Sequence, residues 1–438
     1  MNPAGEPTRA RIPVNFDEGN DLTAIVAQAM TAARTAQARW SRTPLARRLE
    51  LVRELRRLIA EHAMRLAEAS ASARRRPALE ALTAEVLPLA EACRFLEREA
   101  KTILTPRQLG KRGLPLWLAG LRSEIHREPY GVVLVIGPGN YPLLLSGVQM
   151  LQALVAGNAV LLKPGVGGTA AARDLCDLIV QAGFDSQLVA VLPESIIAVH
   201  TAILARPDKV LFTGSAVTGE NILAQLAPHL IPATMELSGC DAVIIRADAD
   251  LDLAVKALTF GLTLNGGATC MSPKRVLVSA ARATELEGRL AQCFGNSRRQ
   301  EVHPEIRNCQ RLLASAATKR LSPLLADALA RGAHLIAGEI ADDGTVITPL
   351  VLGGVTPSSQ VLREDFFVPI LAIVTVADDH EAILRVNDCP FALAASVFSR
   401  DESAARSLAS RIRAGVVTIN DLILPAADAR TPFGGRGR

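Results

Sequence analysis

The residues able to do chemistry in this chain stand at the ends of short apolar runs. Lys163 ends the run AVLLK, Glu236 ends an apolar stretch beside small residues, and Asn140 follows the run VVLVI. Taken alone, each has a structural interpretation: a solvated lysine, a carboxylate in a salt bridge, or an amide that caps a helix. Each also has a chemical one, because a lysine can hold a ribose or phosphate, a carboxylate can act as a general base, and an amide can donate to an oxyanion.

Two loops of small residues add a possible nucleophile and a possible phosphate site. Cys270 lies in LNGGATCMSPKRVLV, between a predicted helix over 251–264 and a predicted strand over 275–279. A thiolate in such a loop can be reached and stabilised, although a buried apolar cysteine is the alternative. Gly214 and Ser215 end the run KVLFTGS before a helix, where backbone N–H groups either face a pyrophosphate or cap a βα turn. The Gly-x-Gly of GPGNYP lacks a third glycine at dinucleotide-fingerprint spacing, so we reject that motif.

The alternation of predicted strands and helices indicates how these residues are brought together. Apolar residues recur at helical spacing over 22–100, and from Tyr130 onward short aliphatic runs alternate with helical stretches. Such alternation predicts parallel sheets with helices on both faces, in which ligands bind at the carboxyl ends of strands. A second alternating series starts near Asp241. The sequence therefore predicts an all-helical N-terminal segment followed by two α/β domains that meet near residue 238.

Composition argues against several other classes of protein. The 438 residues are 49% apolar and 21% charged, with a net charge of +4, which is typical of a globular protein of two or three domains and argues against nucleic-acid binding. The seven cysteines form no CxxC pair and the seven histidines show no ligand spacing, so we expect neither disulfides nor a metal site, and a reducing cytoplasmic location. The N-terminus lacks the apolar core of a secretory signal. The longest apolar stretch, 141–162, contains proline and polar residues, which favours a buried helix and strand over a membrane span.

The order and spacing of these motifs resemble the aldehyde dehydrogenase superfamily. The resemblance rests on Asn140, Lys163, FTGS, ELSG and NGGATC, and continues through DADLDLA, REDFFVP, GVVTIND and PFGG. It implies an α/β fold with a helical N-terminal segment and a Rossmann-like cofactor domain over 1–237, a catalytic α/β domain over 238–424, and a short return segment over 425–438. It also implies a homodimer or homotetramer that oxidises an aldehyde to a carboxylic acid with NAD or NADP, without a membrane span or a nucleic-acid partner.

The resemblance also implies a role for individual residues. Cys270 matches the nucleophile that forms a thiohemiacetal and then a thioester. Asn140, with the backbone N–H of Cys270, matches the oxyanion hole, and Glu236 matches the base that activates water. A second set of residues matches the cofactor site. Lys163 matches the ligand of a cofactor ribose, and Gly214 and Ser215 match the turn that holds the pyrophosphate. Asp365 and Phe367 match the positions beside the nicotinamide ribose.

Departures from the family pattern leave alternatives open. Val166 stands where an acidic residue usually holds the adenosine ribose, so NADP is as plausible as NAD. Cys240 replaces a lysine, and the chain ends at Arg438 where relatives continue, so we expect either a naturally short member or a truncated sequence. A CoA-acylating or acyl-reducing enzyme is one alternative, against which the retained Glu236 argues. A non-catalytic scaffold is the other, against which the presence of all three reacting groups argues.

Overall fold

The computed structural model describes residues 22–72, 76–110, 112–295, 320–340, 346–423 and 427–437. Three features discussed above lie outside these residues: the first residues, in which we expect no secretory signal; the predicted boundary at residues 424 and 425; and Arg438. Among the described helices, none is both long enough and apolar enough to cross a membrane.

The N-terminal part of the chain is helical because its apolar residues repeat at helical spacing. In the second helix the buried side chains are Leu51, Val52, Leu55, Leu58 and Ile59, which form one face. That face belongs to the same apolar core as the first sheet. A π-helical turn, Leu82–Val86, joins the last two of these helices. Their bounds are α1 Leu22–Trp40, α2 Leu45–Glu61, α3 Ala63–Ser72, α4 Ala78–Ala81 and α5 Leu87–Leu104.

The first large sheet has five parallel strands in the order β5-β4-β3-β6-β7. A short antiparallel pair, β1 Arg107–Leu109 and β2 Ser123–Ile125, precedes it. The sheet strands are β3 Val132–Ile136, β4 Ala159–Lys163, β5 Val189–Val191, β6 Lys209–Gly214 and β7 Ala233–Leu237, and the crossover helices are α6 Leu144–Val155, α7 Thr169–Gln181, α8 Ile196–Leu204 and α9 Ala216–Leu226. The chain runs outward from β3 in both directions, which is the topology that opens a ligand crevice at the carboxyl edge.

The second large sheet has seven strands in the order β10-β11-β12-β9-β8-β13-β14, and apolar clusters cover both of its faces. Only the pair β10–β11 is antiparallel among these described strands. The strands are β8 Asp241–Ile245, β9 Pro273–Ser279, β10 His334–Ile340, β11 Val346–Gly353, β12 Ile370–Val376, β13 Ala394–Phe398 and β14 Val416–Ile419. The helices are α10 Leu251–Thr263, α11 Ala283–Gly295, α12 over 320–330, α13 Asp379–Asn387 and α14 Glu402–Ala409.

The two sheets meet edge to edge along the chain. Only residues 238–240 separate the end of β7 from the start of β8, so the carboxyl edge of the first sheet adjoins the amino edge of the second. This division falls where the sequence analysis placed the change of domain. The domain ranges 1–237, 238–424 and 425–438 themselves stay a prediction.

Candidate active site

Hydrogen bonds join Asn140 to the loop that carries Cys270. The buried Asn140 amide donates from Nδ2 to the Ala268 carbonyl oxygen at 3.1 Å. In return, Asn265 Nδ2 donates to the Asn140 carbonyl oxygen at 2.9 Å. Because an amide has two N–H bonds, the contact with Ala268 leaves the second one to donate elsewhere. The predicted oxyanion donor and the predicted nucleophile are therefore held in one hydrogen-bonded unit.

The Cys270 loop has a backbone that glycine makes possible. Asn265, Gly266 and Gly267 all have left-handed φ values, of 52°, 59° and 77°. A Cβ atom on Gly267 would overlap the backbone of Pro369, so the loop lies directly against the segment that follows Phe367. This left-handed turn, which falls where the predicted helix would end, explains the two glycines of the motif NGGATC.

Burial controls the acidity of the Cys270 thiol. Burial, reinforced by the nearby Asp241 carboxylate, raises the pKa of Cys270 to about 12. The backbone N–H groups of Met271 and of Cys270 itself oppose this rise. The thiol is consequently protonated at neutral pH, and it becomes a nucleophile only with a base or a further positive charge nearby.

Glu236 combines a buried carboxylate oxygen with a raised pKa. It lies on β7 opposite Thr213 of β6, at the carboxyl edge of the first sheet. Within the described part of the chain its Oε2 atom is buried and has no hydrogen-bond partner, and burial raises the pKa of the carboxyl to about 7. Residues of the return segment lie beside it, because a Cβ atom on Gly434 would be 3.5 Å from Oε1. Such a carboxylate can accept a proton near neutral pH.

Asp365 is placed beside the end of β7. Ser238 Oγ donates a hydrogen bond to the Asp365 carboxylate. Burial raises the pKa of Asp365, and this bond and the charge of Lys274 partly oppose the rise. Phe367, two residues later, is half-buried. The structure thus places both predicted nicotinamide-side residues in one segment, next to the chain that carries Glu236.

Lys274 is a site residue that sequence reasoning missed. Its buried Nζ donates to the Gly267 carbonyl oxygen at 3.3 Å and to the Val368 carbonyl oxygen at 3.1 Å. Burial lowers the pKa of this lysine to about 8. The lysine therefore ties the Cys270 loop to the segment of Asp365. No sequence signal marks it, since a lone lysine at the start of a strand is commonplace.

Lys163 lies within electrostatic range of a carboxylate that the sequence analysis did not identify, that of Glu194. Burial lowers the pKa of Lys163, while Glu194 raises it. The Glu194 carboxylate accepts hydrogen bonds from the backbone N–H groups of Gly167 and Thr169, at 2.7 and 2.9 Å, so it caps the start of α7. Val166, whose side chain is exposed, leaves the turn after Lys163 without its own carboxylate, and Glu194 supplies one from the end of β5.

Gly214 and Ser215 form the capped turn that was one of the two interpretations of their motif. Ser215 Oγ accepts a hydrogen bond from the Thr218 N–H at 3.3 Å and caps α9. The Gly214 carbonyl oxygen accepts from the Ser238 N–H at 3.2 Å, which links β6 to the chain beyond Glu236. Contact with a pyrophosphate stays a prediction.

The predicted residues fall into two groups. Five stand at the carboxyl edge of the first sheet, and three belong to loops at the amino edge of the second: Asn140, Lys163, Gly214, Ser215 and Glu236, then Cys270, Asp365 and Phe367. Asn140 and Ser238 carry the hydrogen bonds between the groups. Among the described residues, no cluster of three or more His, Cys, Asp or Glu is arranged to hold a metal ion.

Comparison with known proteins supplies the family. A family model described as "Aldehyde dehydrogenase family" matches residues 14–438. The 4,4'-diapolycopene aldehyde oxidase of Methylomonas sp is 32% identical over 420 residues, covering 94% of this chain and 77% of that protein. The NAD+ complex of an aldehyde dehydrogenase from Bacillus cereus superposes with a TM-score of 0.83 at 27% identity, covering 95% of this chain and 84% of that one.

A second solved structure extends the comparison to NADP. The NADP-dependent glyceraldehyde-3-phosphate dehydrogenase from Bacillus halodurans C-125, complexed with NADP, superposes with a TM-score of 0.81 at 28% identity, covering 92% of this chain and 83% of that one. Both cofactors that the sequence analysis expected therefore occur among the structural neighbours. The chain belongs to the aldehyde dehydrogenase family, and the fold class and enzyme class predicted from its sequence are confirmed.

Proposed function

We propose that this chain oxidises an aldehyde to the carboxylic acid with NAD or NADP, using Cys270 as the nucleophile. The observation that carries the proposal is the hydrogen bond from Asn140 to Ala268, two residues before Cys270. It holds an amide donor beside the nucleophile before any substrate arrives, which is what stabilisation of an oxyanion requires. The carbonyl carbon of the aldehyde bonds to Cys270 Sγ, and its oxygen is received by Asn140 and by the backbone N–H of Cys270.

The arrangement around Lys163 fits a nicotinamide dinucleotide. Lys163 is a largely buried cation at the end of β4, and its ammonium has no ion pair closer than 4.0 Å among the described residues. The start of α9 at Ser215 adds backbone N–H groups that suit a pyrophosphate. We assign the ribose to Lys163, the pyrophosphate to Gly214 and Ser215, and the nicotinamide side to Asp365 and Phe367. When bound, the cofactor supplies a hydride acceptor and a positive charge.

Glu236 completes the reaction by removing protons. The cysteine must lose its proton before it attacks, and the resulting thioester must then be hydrolysed. The unpartnered Oε2 of Glu236 supports both tasks, because it has a free lone pair and a pKa near neutrality. We propose that it takes a proton from the attacking water, whose oxygen bonds to the thioester carbon as the bond to Cys270 Sγ breaks.

Glu194 affects the choice between the two cofactors. It places a negative charge next to Lys163, on the turn where Val166 provides none. A carboxylate at this position accepts hydrogen bonds from a ribose diol and repels a 2′-phosphate. We propose that Glu194 disfavours NADP relative to NAD. The predicted homodimer or homotetramer and the predicted cytoplasmic location stay predictions.

The test is aldehyde-dependent formation of NADH or NADPH over a panel of short, long apolar and phosphorylated aldehydes. Cys270→Ala should abolish it while leaving cofactor binding, measured by titration, within about twofold. Cys293→Ala, on the outer face of α11, is the matched control and should retain full activity. Undiminished turnover in Cys270→Ala would refute the assignment. Formation of an acyl-CoA on addition of CoA would instead support the acylating alternative.

A further inference from the structure

Two buried cysteines share one acceptor behind the site. Cys240 Sγ donates to the Leu362 carbonyl oxygen at 3.6 Å, and Cys389 Sγ lies 3.8 Å from the same oxygen. Each thiol also shifts the pKa of the other, as expected for two sulfurs held at one oxygen. They come from distant parts of the chain, since Cys240 lies between β7 and β8 while Cys389 follows α13. Their thiols are consequently close in space without belonging to a CxxC motif.

The surroundings make the two thiols unequal. The adjacent Cys240 thiol, and after it the positive charges of Arg275 and Arg363, lower the pKa of Cys389. The presence of Cys389 and burial raise the pKa of Cys240. One thiol of the pair therefore has thiolate character, and its neighbour carries the proton. That combination is found in cysteines that react with peroxides and then form a disulfide.

A small cleft adjoins residues that neighbour this pair. Its cavity volume is about 20 Å³, and Arg275, Leu362, Arg363 and Asp388 contribute to its lining. Leu362 is the residue whose carbonyl oxygen both thiols contact, and Asp388 immediately precedes Cys389. Cys389, with 9% of its surface exposed against 1% for Cys240, is the more accessible thiol of the two.

From this geometry we propose that Cys240 and Cys389 form a second, oxidisable site, a dithiol that a peroxide converts into an intrachain disulfide. The Cys389 thiolate attacks one peroxide oxygen, the O–O bond breaks, and hydroxide leaves, which gives a sulfenic acid on Cys389. Cys240 then passes its proton to this hydroxide, which becomes water, and the Cys240 thiolate attacks the Cys389 sulfur. The S–S bond forms as the S–O bond breaks, and the leaving hydroxide becomes the second water by taking up the proton that Cys389 had released. In sum, two thiols and one hydrogen peroxide give one disulfide and two waters, so sulfur is oxidised and peroxide is reduced.

The site is independent of the proposed catalysis, because Cys270 takes no part in it. Cys240 is also a position at which the resemblance leads one to expect lysine, so the dithiol belongs to this chain's own departures from its family pattern. The competing interpretation is a buried cysteine pair that does not react with peroxide. It predicts that both cysteines stay reduced on exposure to peroxide.

The test is disulfide mapping of the reduced full-length protein after graded exposure to hydrogen peroxide. Remaining thiols are blocked with N-ethylmaleimide, and the protein is digested with trypsin without reduction. Peptides 210–246 and 386–400, which carry Cys240 and Cys389, should appear cross-linked, two hydrogens lighter than their sum, and should separate on reduction. Cys93, which is buried and whose pKa burial raises to about 12, serves as an internal control and should stay reduced.

Variants separate the two roles. Cys240→Ser should leave a sulfenic acid on Cys389 that dimedone captures, whereas Cys389→Ser should leave Cys240 as a thiol at the same peroxide dose. Cys293→Ser should cross-link like the wild type. Full alkylation of both cysteines in the wild-type protein, at doses that already oxidise Cys270 and Cys293, would overturn the proposal. So would a disulfide from Cys389 to any other cysteine. The wild-type result decides the matter even if a variant fails to fold.

Discussion

In the reaction proposed above, the pKa of Glu236 determines how fast the acyl-enzyme is hydrolysed at each pH. Burial raises this pKa to about 7, and only the carboxylate form can take a proton from water. The carboxylate fraction is then about one-tenth at pH 6, about half at pH 7 and about nine-tenths at pH 8. Hydrolysis of the thioester on Cys270 should therefore accelerate about tenfold between pH 6 and pH 8 and level off above that. An ordinary glutamate, titrating near pH 4.3, would give a flat profile over the same range.

The assay isolates this step from hydride transfer. A nitrophenyl ester acylates the protein at low pH, and a rapid pH jump then starts hydrolysis. Samples are quenched at intervals, and mass spectrometry measures the fraction of protein that is still acylated. Glu236→Gln should lose the rise between pH 6 and pH 8 and hydrolyse at least about 100-fold more slowly at pH 8, as expected for loss of a general base. Glu220→Gln, exposed on α9, is the matched control and should keep the wild-type profile. Hydrolysis in Glu236→Gln at the wild-type rate would refute the reasoning, as would a wild-type profile that is flat from pH 6 upward.

Three further substitutions test the rest of the site. Asn140→Ala should lower kcat by about 10²–10³ with little change in cofactor binding, because one oxyanion donor is lost; an unchanged kcat would remove this residue from the mechanism. Glu194→Gln keeps an oxygen that can cap α7 but removes the negative charge near Lys163. The ratio of kcat/KM for NADP to kcat/KM for NAD should therefore rise about tenfold, which is the free energy of one pKa unit. An unchanged ratio would contradict this role of Glu194. Gly267→Ala should lower both activity and Tm, because the added Cβ atom meets the backbone of Pro369. Gly288→Ala, whose added Cβ atom would meet open space, should leave both unchanged. Equal effects of the two substitutions would contradict the packing argument.

The sequence predicts the fold well where its patterns are local. The runs VVLVI and AVLLK are buried throughout, and each forms a strand of a parallel sheet. Their polar ends at Asn140 and Lys163 lie at one edge because the strands are parallel, which alternation alone predicts. The family resemblance then predicts a chemical role for each of these residues. The structure adds the hydrogen bond from Asn140 to the Cys270 loop.

What the sequence does not predict depends on partners that are distant along the chain. Lys274 contacts Val368, which is 94 residues away, and neither residue type carries a signal by itself. Glu194 caps a helix that begins 25 residues earlier in the chain. From the sequence alone, Val166 therefore indicates that the turn after Lys163 has no carboxylate nearby, whereas the fold brings the Glu194 carboxylate to that turn. The Cys270 loop also precedes its strand, whereas strand-end reasoning directs attention to residues that follow one. Such features follow from tertiary packing rather than from local pattern.

The position of Gly434 close to Glu236 has a practical consequence for anyone who prepares this protein. The Arg436 N–H donates to the Ala392 carbonyl oxygen at 3.0 Å, and Gly437 lies against Pro390, so the backbone is held in place through residue 437. An affinity tag fused directly after residue 438 would emerge within a few residues of the carboxylate that we propose as the general base. A tag fused before residue 1 avoids this, and a measured difference in activity between the two fusions would report how firmly the glycines at 434, 435 and 437 are held.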